Sequence, residues 1–158
     1  MTARTEKPPL NWTNIPIFIG LPIAALILVP SWGIYHGYDT FQWLWALAFL
    51  YLNGLSITGG YHRLWSHKAY DAHPALKWFY ALWGAGALQN SILIWASDHR
   101  RHHRFVDDNE QDPYSAGRGL WFSHIGWMLR HYNTNEQDFS NARDLQRDPI
   151  VMFQDKHY

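Results

Sequence analysis

The sequence predicts an all-α membrane protein: a transmembrane helical hairpin, then an interfacial helix and a cytoplasmic helical cap. Residues 15–35 and 41–61 are two runs of 21 residues without a charged side chain, divided by only five residues. About 20 apolar residues suffice to cross a hydrocarbon core. Ten tryptophans in a chain of 158 residues are the excess expected of a protein at a bilayer, where indole rings settle at the interface. The polar remainder, from residue 62 onward, opens with histidines at helical spacing.

Residues 1–14, with Arg4, Glu6, Lys7 and the Pro8-Pro9 pair, read as a loosely held polar tail. The run 15–35 contains Pro16, Pro22 and Pro30, which would damage a soluble helix but are better tolerated in a membrane, with a kink expected near Pro22. It is too long for the apolar part of a secretory signal and lacks a small-residue cleavage site. Residues 36–40 are a short turn, and 41–61 return across the membrane. The turn carries no positive charge, whereas Arg4 and Lys7 precede the hairpin and Arg63, Lys68 and Lys77 follow it. The positive-inside rule then places both ends in the cytoplasm.

A third charge-free run, residues 78–97, holds Gln89, Asn90 and Ser91 near its middle, which a span would have to bury without partners. It reads as a helix lying on or folded against the cytoplasmic face, broken near Gly84-Ala85-Gly86. Were it a span, the histidines before and after it would be about 30 Å apart. Residues 105–113 form an acidic loop and 117–119 a turn; 120–129, too short to span, form an interfacial or packing helix. The domain layout is thus a tail (1–14), a hairpin (15–61) and a cap (62–158). No repeat or low-complexity tract interrupts it.

Thirteen basic and thirteen acidic residues leave no net charge, so no field draws in nucleic acid. No cysteine is present, which excludes disulfides and thiolate chemistry and confines any metal to nitrogen and oxygen donors. Within WASDHRRHHR, residues 95–104, His99, His102 and His103 stand at i, i+3 and i+4 and share one helix face. Three crowded imidazoles are hard to explain by packing, whereas a borderline metal ion binds them well. His62 and His67 form a second pair, but five α-helical residues turn the two rings about 140° apart. Either the helix breaks there or the pair serves two neighbouring metals. Imidazole suits zinc, copper and iron alike, so spacing does not choose among them.

The segments His62-Arg63-Leu64-Trp65-Ser66-His67 and His99-Arg100-Arg101-His102-His103 resemble the first and second histidine boxes of the membrane-bound acyl-CoA desaturases, the Δ9 or stearoyl-CoA type. The likeness extends to Gly59-Gly60-Tyr61, Gln89-Asn90, Trp95, Asp112-Pro113, Arg118-Gly119, Phe122-Ser123-His124-Ile125-Gly126-Trp127 and Val151-Met152-Phe153-Gln154. It covers nearly all of the chain from about Tyr51 onward.

This resemblance implies a di-iron oxidoreductase that uses O2 and two electrons to desaturate a fatty acyl-CoA. The electrons would come from a donor such as ferredoxin or cytochrome b5. No side-chain acid or base deprotonates an alkane, so such chemistry belongs to a metal centre. His62, His67, His99, His102 and His103 are then iron ligands, Asn90 and Asp98 touch the coenzyme A part of the substrate, and Trp95 walls the acyl tunnel. Arg118 and Arg130 either meet the coenzyme's phosphates or face anionic lipid. Ser97 stands where the animal enzymes carry Arg, which admits another acyl carrier. His124 is taken as structural, and His36, His73, His131 and His157 as surface residues.

The family continues with a second membrane hairpin and an HNxHH box, absent here; five ligands do not complete two irons. The expectation is therefore an N-terminal half, inactive by itself, that needs the missing C-terminal half. A histidine-box lipid desaturase or hydroxylase, or a non-catalytic metal-binding remnant, are the alternatives.

Overall fold

A computed structural model describes residues 7–158; Arg4 and Glu6 of the predicted tail lie outside the described residues. Helices account for the regular structure, with a single isolated bridge and no strand among the described residues. The chain divides into two compact units, residues 1–38 with 105–136 and residues 39–104 with 137–158.

In the first unit, a π-helical turn, Pro16–Gly20, runs into α1, Leu21–His36. Pro22 is the second residue of α1, directly after the π-helical turn. Pro30 is the interior proline. Nothing in α1 is buried, and it is apolar all round, the pattern of a helix that meets lipid or a large core. Among the described residues, Pro16–His36 is the stretch long and apolar enough to cross a membrane, with a mean hydropathy of 2.2.

The predicted loose tail is anchored from residue 8 onward. Leu10 bridges Arg130, Asn11 N–H donates to Leu129 O at 2.9 Å, and His131 N–H donates to Pro9 O at 2.9 Å. The guanidinium of Arg130 donates to Pro8 O at 2.6 Å. Backbone pairing of this kind does not depend on side-chain pattern, so a polar composition concealed it. The predicted helix over 120–129 is instead two short pieces, α5, Leu120–His124, and a 3-10 turn, Gly126–Met128.

In the second unit, α2, Thr40–Leu55, starts at a capping box in which Asp39 accepts from Gln42 N–H and Gln42 accepts from Asp39 N–H. Its side chains are largely exposed, Trp43, Leu44 and Leu50 among them. Without a break it becomes a π-helix, Ser56–Ser66. α3, Pro74–Ala85, and α4, Ile92–Arg104, are separated at residues 86–91, where Leu88 and Asn90 take positive φ. The third charge-free run is therefore broken next to the glycines that predict the break. α6, Pro149–His157, closes the unit.

The core joins Tyr61, Leu64 and Trp65 of the π-helix to Tyr80 and Ala81 of α3, to Ile92, Leu93 and Ala96 of α4, and to Ile150 and Val151 of α6. Gln154 links three of these elements from the inside: its carbonyl accepts from Ile92 N–H at 2.9 Å and its amide donates to Tyr61 Oη at 2.9 Å. One otherwise orphaned N–H at the start of α4 is thereby satisfied.

Candidate metal centre

The π-helix determines where the first histidine pair goes. Its i→i+5 bonding is seen in His67 N–H donating to His62 O at 3.0 Å, and Ser66 Oγ donates to Tyr61 O, also five residues back, at 2.7 Å. Residues five apart thus come to one face, and the α-helical divergence of the two rings does not arise. The ring centroids of His62 and His67 lie 4.4 Å apart.

From α4, His99 and His103 meet this pair. His67 Nε2 lies 3.1 Å from His62 Nε2 and 3.1 Å from His99 Nε2, and His103 Nε2 lies 3.1 Å from His99 Nε2. One nitrogen from each of the four falls within 4.8 Å of every other. His62 and His99 are half-buried, and His67 and His103 are exposed. His102 is not in this group; its ring centroid is 6.3 Å from that of His99. On an α-helix, i+3 and i+4 fall on opposite sides of residue i, about 100° from each other, so only one of them joins the His99 side that faces the π-helix.

These four imidazoles fit a cation better than they fit one another. An imidazole nitrogen presents in its ring plane either one hydrogen or one lone pair. His67 Nε2 and His99 Nε2 each face two other nitrogens at 3.1 Å, and one proton or lone pair serves only one of them. A metal ion would accept all four lone pairs. Two nitrogens about 2.1 Å from an ion and at right angles would be about 3.0 Å apart, close to the separations present.

Electrostatics point the same way. Burial, reinforced by repulsion from His103, His62, His67 and His102, pushes the pKa of His99 down to about 3. His67 is also lowered, by desolvation and then by His62 and His103. Both are held in the neutral form that ligates. For His99 the unfolded chain binds a proton below the usual 6.5 while the folded chain does not, so metal-free stability falls as pH drops from about 6.5 toward about 3. Melting in the presence of a chelator should occur at lower temperature at about pH 5 than at about pH 7.5, and bound metal should widen the difference, because the metal-bound form keeps its imidazoles deprotonated while the unfolded chain takes up protons. Equal melting temperatures at both pH values would contradict the neutral cluster.

No protein-family model matches the chain. Individual relatives do. A "Probable acyl-CoA desaturase" of Schizosaccharomyces pombe is 40% identical over 149 residues, which is 94% of this chain and 30% of that protein. The "Stearoyl-CoA desaturase" of Sus scrofa is 39% identical over 160 residues, 96% of this chain and 43% of that protein. The chain is a homologue of the acyl-CoA desaturases. The human "Stearoyl-CoA desaturase" matches at 37% over 98% of the chain and 43% of its own length, so this desaturase homologue spans less than half of each of these relatives.

The other positions singled out from the sequence fall in both units. In the second, Trp95 stacks on His99, with centroids 4.7 Å apart at 22°, and its Nε1 donates to Gln89 Oε1 at 3.1 Å. Asn90 N–H donates to Tyr158 Oη at 3.0 Å. Asp98 is ion-paired with Arg101 at 3.3 Å, and burial raises its pKa to about 6 against the lowering effect of Arg101. In the first unit, the Arg118 guanidinium lies 3.6 Å from the Phe122 ring centre and 4.4 Å from that of Tyr132. Arg130 holds the Pro8 carbonyl described above. Sequence reasoning did not single out Gln89 as the partner of Trp95, although both lie in the motif region.

Proposed function

We propose that this chain carries part of the di-iron centre of a fatty acyl-CoA desaturase. The observation that carries this reading is the convergence of His62, His67, His99 and His103 on one point, in a homologue of proteins named acyl-CoA desaturases. His62, His67, His99 and His103 are the donors to one iron. His102, on the neighbouring side of α4, is a donor to the second.

When bound, the iron pair supplies the O2-dependent redox chemistry that removes two hydrogens from an unactivated acyl chain, which no side chain achieves. The chain's own contribution is to keep its imidazoles neutral and fixed. The Trp95 ring, stacked on His99, holds that imidazole's plane. Asn90, Trp95 and Asp98 contact the acyl thioester. Pro16–His36 is a membrane-spanning helix, and the histidines face the cytoplasm, where a one-electron carrier such as ferredoxin or cytochrome b5 docks. The chain by itself is inactive in desaturation.

A chimera tests this reading. Replacing the matching segment of the Schizosaccharomyces pombe relative by this chain should yield a protein that forms unsaturated fatty acids in cells that otherwise make none, while the chain alone forms none. A stably expressed chimera without unsaturated product would overturn the proposal, and an alcohol product would move it to a hydroxylase.

A further inference from the structure

Between the two histidine pairs lies a set of contacts that bind no metal yet fix the geometry that does. Arg100 follows His99 on α4, about 100° round the helix, so the imidazole serves the cluster while the guanidinium turns elsewhere. Its Nε–H donates to Ser66 O at 3.2 Å; one terminal nitrogen donates to Asn141 O at 2.7 Å and Asp144 Oδ1 at 2.8 Å; the other donates to Trp65 O at 2.6 Å and Asp144 Oδ2 at 2.9 Å. Those are all five hydrogens a guanidinium has.

Trp65 O and Ser66 O are two of the last carbonyls of the π-helix, which ends at Ser66 with His67 as its C-cap. Terminal carbonyls have no intrahelical donor, and a cation is favoured beside them. Asp144 fixes the guanidinium by a bidentate pair, the strongest geometry available to Arg and carboxylate, and also meets Lys68 Nζ at 3.1 Å. Hydrogen bonds from Arg100 and Lys68 hold the Asp144 carboxyl well below the usual carboxylate range.

We infer that Arg100, clamped by Asp144, is a positioning residue that docks the end of the π-helix onto α4 and thereby sets His67 within ligating distance of His99. The inference rests on the metal-centre reading above. It concerns residues that contact no ligand atom, and it assigns to the first arginine of His99-Arg100-Arg101-His102-His103 a role that spacing alone does not give it. Lysine could not replace it, because one ammonium has three donors and no planar fork.

The test is a titration of the metal-free full chain in detergent with Co2+, followed by visible absorption. R100Q and R100K should each bind Co2+ about 10–100-fold more weakly than the unaltered chain, the range for partners that orient a ligand. Their Co2+ spectra should match that of His67→Ala, since both would lack the same nitrogen. K77M serves as the comparison: it breaks the Lys77–Asp148 pair, 2.8 Å long in the same unit, and should lower the melting temperature while leaving affinity and spectrum unchanged.

If R100Q does not fold, D144N carries the test, with a loss in the same direction. An unaltered chain that binds Co2+ together with arginine variants of equal affinity and spectrum would overturn the inference and leave the metal centre standing. An unaltered chain that binds no Co2+ would overturn both.

Discussion

His99→Ala should abolish tight metal binding, lowering affinity by more than about 100-fold, beyond the range produced by losing an orienting partner. His102→Ala should change the affinity of the same ion less than about tenfold. The contrast arises because His99 Nε2 touches both His67 Nε2 and His103 Nε2 at 3.1 Å, whereas His102 stands outside the convergent group. Competition titration of both variants against a chelator of known affinity checks it. Equal losses for the two would mean that the ion sits on the α4 triplet and not between α4 and the π-helix. The removed ring also supports Trp95, so the tryptophan fluorescence of His99→Ala should shift even without metal.

Gly84→Ala is the second change expected to act strongly, although residue 84 lies on α3, which carries none of the four clustered histidines. A Cβ there would sit 2.3 Å from Cε1 of Tyr61 and 2.9 Å from its Cζ. Tyr61 is fully buried and its hydroxyl accepts from Gln154, so the ring has no free direction in which to withdraw. Overpacking of this kind costs about 1–3 kcal/mol. Because Tyr61 immediately precedes His62, the displacement should also weaken metal binding. Chemical denaturation with and without metal would measure both effects. A Gly84→Ala chain of unaltered stability would show that α3 can move away from the π-helix.

Much of the site was legible because it depends on short-range periodicity. The i, i+4 relation of His99 and His103 needs only an α-helix, and Gly84, Gly86 and the polar Gln89-Asn90-Ser91 announce the break that separates α3 from α4. The His62 and His67 pair was not legible in the same way. An α-helix turns them apart, and the π register that brings them together is not a preference of the residues in SITGGYHRLWS. It accompanies the burial of Tyr61, Leu64 and Trp65 against α3, α4 and α6, a tertiary cause. The choice of Arg100 over Arg101 for the inward bonds is likewise a matter of helix rotation relative to the π-helix, which no local pattern encodes. The anchoring of residues 8–14 was hidden for a third reason: it runs mainly through backbone groups.

The most direct test of the metal centre is X-ray absorption on the full chain, purified in detergent from iron-supplemented cells, combined with elemental analysis. At least one iron per chain with about four imidazole nitrogens at about 2.1 Å, lost in His99→Ala, is the result expected. A chain that retains no metal, or one whose iron is ligated by oxygen alone and survives His99→Ala, would contradict the assignment of His62, His67, His99 and His103 as a ligand set.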